Sequence, residues 1–201
     1  MFTFTGINNT TSISGVTTGS PYSNDLADLQ LPFTGIAVEY VNLTPDNLLI
    51  TTDTPSFIQS GAGNETIVDN NKTAGDVVID PGSGGNTIQA STNPTSHDTI
   101  IVDAESDAPL LDAILGLKAG DNVVIKGLTT LPATDIANAA VGTLQGLMLT
   151  VHVPATGPAA QIFLSGHNAT EVAAGRLTFS AFTPPSSMPE ASPYLLVHVA
   201  A

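Results

Sequence analysis

Four histidines, His97, His152, His167 and His198, are the side chains best suited to metal ligation or proton transfer near neutral pH. None lies within four residues of another, so no H-x-H or H-x-x-x-H ligand pair exists, and they read as scattered sheet or surface histidines. Carboxylates crowd together at Asp103, Glu105, Asp107 and Asp112. There the apolar positions Leu110, Leu111, Ile114, Leu115 and Leu117 predict one short helix near 107–117, and acids at a helix start complement its dipole without any catalytic task. Cysteine and Trp are absent and aromatics make up 5%, which removes thiolate chemistry, disulfides and the sugar platforms that a paired-carboxylate glycosidase needs. No nucleophile elbow, phosphate loop or dinucleotide fingerprint occurs. The chain is expected to be non-enzymatic, with no catalytic and no cofactor-binding residues.

The clearest organisation lies between Ser60 and Ile101. Four nine-residue units, 60–68, 72–80, 81–89 and 93–101, each join a Gly/Asn/Asp-rich turn to a β-branched run, with three-residue insertions after Val68 and Gln89. The eighth position is Ile67, Ile79, Ile88 and Ile100, a column suited to stacked strands, because β-branched side chains pack well on a pleated surface. The fourth is Gly63, Gly75, Gly84 and Ser96, keeping in three of four turns the residue that a left-handed corner favours. The expected fold class is mainly β: a short right-handed parallel β-roll, or solenoid, continued by a C-terminal antiparallel β-unit. Residues 1–56 form an N-terminal β-segment on this reading, with alternation at Phe2, Phe4, Ile7, Ile13 and Val16, a connecting segment at 21–32 and strands broken at Pro45. Residues 57–103 form the roll and 104–201 the C-terminal unit. In the last, DNVVIKGLT, TLQGLMLTVHVP, AAQIFLSGH, AGRLTFSAF and SPYLLVHV read as five strands.

The units SGAGNETIV and PGSGGNTIQ resemble the G-G-x-G-x-D-x-U-x nonapeptide of hemolysin-type, or RTX, calcium-binding β-rolls. A looser likeness runs through TPSFIQSGAGNETIVDN, GDVVIDPGSGGNTIQA, DTIIVDA and SPYLLVHV to secreted bacterial proteins that carry such a roll between β-rich flanks. The resemblance implies secretion and a surface or matrix role. It also implies calcium between alternate turns, held by sixth-position carboxylates and turn carbonyls. The sixth positions are Glu65, Val77, Asn86 and Asp98, so one side pairs Glu65 with Asn86 and the other Val77 with Asp98. Glu65, Asn86 and Asp98 are thus the residues to test for calcium. The alternative is a roll kept for its shape, whose asparagines and waters satisfy the turns.

Composition sets the surroundings. Lys+Arg number 4 against 18 Asp+Glu, a net charge of -14 that repels nucleic acid and anionic lipid. No stretch approaches the roughly 20 apolar residues of a membrane-spanning helix, and the first residues lack the features of a signal peptide. An acidic, cysteine-free, Thr/Asn/Gly-rich chain suits signal-peptide-independent export to the cell surface or beyond. The function expected is a secreted structural protein that self-assembles into a surface layer or filament, its partner a further copy of itself. Its N-terminal strand and the tail YLLVHVAA are the candidate adhesive edges, unless they pair within one chain. The alternatives are a calcium-responsive export and folding module, or an adhesin that meets glycan or a cell surface.

Overall fold

The computed structural model describes residues 3–6, 10, 11, 29, 31, 36, 38–41, 48–103, 110–152, 159–184 and 192–201. Runs of β-branched residues between Gly, Asn and Pro turns give strands as the regular elements, apart from one 3-10 turn and one short helix among the described residues. From β3 (Val38–Val41) through β4 (Leu48–Thr52), β5 (Ser56–Gln59), β6 (Thr66–Asp69), β7 (Gly75–Asp80), β8 (Thr87–Gln89), β9 (Ser96–Asp103), β10 (Leu111–Leu115) and β11 (Asn122–Lys126), successive strands alternate between two sheets. Each turn of the coil lays one strand in each sheet, and every strand pairs in parallel with its equivalent one turn on. Each nine-residue unit is therefore half a turn. Parallel pairing runs past 57–103 in both directions, to β3 and β4 on one side and to β10 and β11 on the other.

Beyond the coil come a 3-10 turn at Ala133–Asp135, β12 (Ile136–Val141), β13 (Leu144–His152), β14 (Ala159–Ser165), the helix α1 (Ala169–Ala173), β15 (Leu177–Phe182) and β16 (Tyr194–Val199). They do not form a separate sandwich. β14 adds in parallel to β10 and carries β13 and β12 antiparallel outside it, while β16 adds antiparallel to β11 and carries β15. The N-terminal β1 (Thr3–Gly6) pairs antiparallel with β4 and is itself flanked by β2 (Thr10–Thr11). The result is a nine-stranded sheet running from β12 to β2 and a seven-stranded sheet running from β15 to β3.

The isoleucine column resolves into two. Ile50, Ile67, Ile88 and Ile114 stand in register in one sheet; Ile58, Ile79, Ile100 and Val123 stand in register in the other. Both columns face inward and share one core. Removing each such side chain from water contributes about 1.5–3 kcal/mol. A second, smaller cluster covers the outer face of the seven-stranded sheet, where Phe57, Val78, Ile101 and Val124 meet Leu29 and Tyr194. The Tyr194 hydroxyl donates to the Leu29 carbonyl, and its ring stacks on Phe182 at 4.6 Å. The strands themselves record this double burial: DVVID, TIIVD and NVVIK are apolar on both faces, whereas TIVD and TIQ of the other sheet alternate.

The helix expected near 107–117 is not formed there. Residues 111–115 are β10, and the one helix of four or more residues among those described is α1, started by an Asn168 and Glu171 capping box. Leu-Leu-Asp-Ala-Ile-Leu satisfies a helical period and a strand period alike, and in-register neighbours β8 and β14 on both sides decide in favour of the strand. The expected helix start at Asp107 lies outside the described residues, as do Phe2, Ile7, Ile13, Val16, the break at Pro45 and all of the 21–32 connection except Leu29 and Leu31. β12 is a strand that the sequence reading lacked.

Candidate functional site

A polar residue two positions before the core aliphatic recurs through the coil: Glu65 before Ile67, Asn86 before Ile88, Asp112 before Ile114, Asp98 before Ile100 and Asp121 before Val123. Residues i and i+2 share a strand face, so these groups point into the roll at its corners. All five are buried. Each later residue accepts a hydrogen bond from the backbone one turn earlier: Asn86 Oδ1 from the Glu65 N–H at 2.9 Å, Asp112 Oδ1 from the Asn86 N–H at 2.9 Å, and Asp121 Oδ1 from the Asp98 N–H at 2.9 Å. The polar columns thus tie turn to turn where the corners interrupt the ladder.

On one edge, the corners 60–65 and 81–86 stack tightly. Gly82 has φ +71°, and a Cβ there would lie 2.0 Å from the Gly61 carbonyl oxygen, so no other residue fits without displacing the backbone. Asn64 Oδ1 accepts from the Gly85 N–H at 2.8 Å, and the Asn86 amide turns back towards the carbonyls of Gly82 and Gly84. Glu65 is buried with neither carboxylate oxygen hydrogen-bonded, and burial pushes its pKa from 4.5 up to about 7. The nearby Asp112 charge adds to the rise.

The opposite edge holds a second set. Asp69, which ends β6, and Asp98, in β9, are both buried and interact electrostatically. Burial, followed by the neighbouring Asp69 carboxyl, pushes the Asp98 pKa from 3.8 up to about 7; burial raises Asp69 as well. Asp98 Oδ2 accepts from the Ser91 N–H and Asp69 Oδ1 from the Asn71 N–H, both at 2.6 Å. Lys118 Nζ stands 3.0 Å from Asp121 Oδ1 and 3.8 Å from Asp98 Oδ2, bringing a cation to this corner. A polar cavity of about 580 Å3 lies beside the pair, lined in part by Asp69, Asn71, Ser91 and Asn93.

Of the residues singled out for calcium, Glu65 and Asn86 are brought together across consecutive turns, while Asp98 stands in the other sheet, in register with Val77. Among the described residues no three His, Asp or Glu side chains converge as a metal-ligand set. The Asn86 oxygen accepts from the Glu65 N–H, and Lys118 Nζ stands 3.8 Å from Asp98 Oδ2. Asp69, Asp112, Lys118 and Asp121 escaped the sequence reading of this site. Asp112 and Asp121 carried a signal, since each repeats the polar-x-aliphatic triplet beyond residue 101. Asp112 is a strand residue facing the interior, not a helix-start acid.

The histidines do not cluster: His167 Nδ1 lies 3.1 Å from Glu171, His198 Nδ1 lies 2.9 Å from Asn122, and His97 and His152 are exposed. No protein family, curated protein or solved structure matches the chain. Chemically, the corner groups are arranged to hold the backbone of successive turns together.

Proposed function

We propose that the protein is a secreted, non-enzymatic structural protein that associates with copies of itself at the cell surface or in extracellular matrix, as a surface-layer or filament subunit. The observation that carries this reading is the pair of edges at the C-terminal end of the two sheets. β12, IANAAV, and β15, LTFSAF, are each six residues long, carry no charged residue and end their sheets. Lys, Pro and charge are the usual guards against edge pairing, and both strands lack them. The tail segment β16 is not an edge: it lies between β11 and β15, and β1 likewise lies between β4 and β2. Adhesion through the termini, as first expected, thus gives way to adhesion through β12 or β15. The buried chemistry supports a structural role as well, since Asn86, Asp112 and Asp121 accept hydrogen bonds from the backbone of the preceding turn. Export is supported by the composition, acidic and free of cysteine.

Sedimentation velocity and negative-stain electron microscopy of the purified protein over a range of concentrations test the proposal. Oligomers or regular assemblies that grow with concentration are expected. A single monomeric species up to millimolar protein would overturn it.

A further inference from the structure

The β12 edge has a geometry that specifies its partner. β12 and β13 are joined by the two-residue turn Gly142–Thr143, with Val141 opposite Leu144 and Ile136 opposite Leu149. In a two-residue hairpin the residues flanking the turn form the narrow, hydrogen-bonded pair. Val141, Ala139 and Ala137 therefore direct their backbone groups towards β13, and Ala140, Asn138 and Ile136 direct theirs outward. The Ile136 N–H closes the preceding 3-10 turn on the Ala133 carbonyl. No other strand among the described residues pairs on that side. What remains to receive a partner is the N–H and C=O of Asn138 and of Ala140 and the C=O of Ile136. The side chains beside them are small, and Ala137, Asn138 and Ala140 are exposed.

We propose that β12 pairs antiparallel with β12 of a second copy across a twofold axis at Asn138, joining the two nine-stranded sheets into one. This deepens the assembly reading and rests on it. Strand length narrows the partner: β12 and β15 have six residues each, whereas the edges at the other end, β2 and β3, have two and four. Charge points the same way. An antiparallel pair sets Asp135 of each copy beside the uncharged Val141–Gly142 end of the other, so the two acids, in a chain of net charge -14, stay apart.

Symmetry then fixes the register. Residues directly opposite in an antiparallel pair share a face, and a twofold axis through the sheet preserves faces, so the axis must fall on a residue and not between two. Centring on Asn138 sets Ile136 opposite Ala140 and gives four hydrogen bonds, two between the Asn138 backbones and one from each Ala140 N–H to the partner's Ile136 carbonyl. Centring on Ala139 also gives four, between Asn138 and Ala140, but leaves Ile136, the largest side chain on that face of the strand, opposite Gly142, beyond the strand. α1 leaves this edge open, since its contact with Asn138, from the Ala169 N–H to Oδ1 at 2.8 Å, lies on the side chain. The contact is isologous and closes a pair, so a longer filament needs a second contact at the N-terminal end.

Because the chain has no cysteine, single-cysteine variants report the contact without background. Under mild oxidation Asn138→Cys is expected to form a covalent dimer on non-reducing gels, and Ala139→Cys, two strand positions from its own mate, is not. Ala140→Lys, exposed and paired with Ile136 of the partner, is expected to shift sedimentation to monomer with an unchanged circular dichroism spectrum. Ala181→Lys on β15 is expected to leave the dimer intact. If the protein assembles but Asn138→Cys fails to cross-link and Ala140→Lys still associates, this pairing is wrong while self-assembly stands. If the unmodified protein is monomeric throughout, both fail.

Discussion

Raising the pH from 5 to 8 is expected to weaken this fold, and the size of the effect follows from the buried acids. Glu65 titrates near 4.5 when unfolded and about 7 when folded, and Asp98 near 3.8 and about 7. Between those values the folded chain holds protons that the unfolded chain has released. Stability is therefore fully present below the unfolded values, falls as pH rises, and has lost its whole contribution above about 7. One pKa unit corresponds to about 1.4 kcal/mol, so Glu65 alone sets a ceiling of about 3 kcal/mol. Asp69 and Asp98 titrate as a unit and add a comparable ceiling; water reaching the corners as they ionise reduces both, leaving an expected net loss of roughly 3 kcal/mol. Urea unfolding followed by circular dichroism at pH 5, 6, 7 and 8 measures it. The double variant Glu65→Gln, Asp98→Asn keeps the shapes and removes these two titrations, so its slope should be clearly smaller, with Asp69, Asp80 and Asp121, which burial also raises, keeping the remainder. General repulsion among surface acids would weaken the fold in both proteins equally. A wild-type midpoint that is constant or rises from pH 5 to 8, or a double variant that keeps the full slope, would refute the reasoning.

The glycine corners separate backbone strain from collision. Gly82→Ala meets the Gly61 and Ser60 carbonyl oxygens at φ +71° and should cost about 3 kcal/mol or more, whereas Gly175→Ala, at φ +70° with nothing within 4 Å, should cost only about 1 kcal/mol; thermal denaturation of the two variants gives the comparison. Calcium titrated into the protein at pH 7.5 should release no saturable heat, and a chelator should leave the circular dichroism spectrum unchanged, because Asn86 and Asp98 are already engaged. Saturable heat that Glu65→Gln abolishes would show a site at that corner after all.

Much of the coil was legible because its signal is local. An isoleucine every half turn, with glycine in the corner before it, marks 60–101 as stacked strands without knowledge of anything distant. The signal failed where spacing changed. The turn from Asn86 to Asp112 is 26 residues, against 21 from Glu65 to Asn86, so the nine-residue frame ends while the stacking continues. At Leu111–Leu115 the apolar residues fit two periods, and the deciding contacts, β8 and β14, lie far along the chain. β12 was missed for another reason: alanines give no hydrophobic contrast, so IANAAV carries almost no strand pattern and owes its structure to β13. The acid pair was half legible. Asp98 stood in the repeat, but Asp69 ends its strand in a position that no repeat predicts, and only the coil brings the two together.

Why a roll should bury carboxylates in its corners follows from the ambiguity of its core. A column of aliphatics alone is satisfied equally well by a slip of two residues, since i and i+2 share a face. In this chain such a slip would move Glu65, Asn86 or Asp112 into the isoleucine column and separate the Asn86 and Asp112 oxygens from the N–H groups they accept. An unpaired buried acceptor costs about 1–3 kcal/mol, and a carboxylate more, so two or three displaced residues outweigh what a slipped core retains. The polar column need not add net stability to be useful. It makes the native register lower in free energy than its nearest competitor, and in the double variant Glu65→Gln, Asp98→Asn, where the acceptors remain, that register should persist even as the pH dependence weakens.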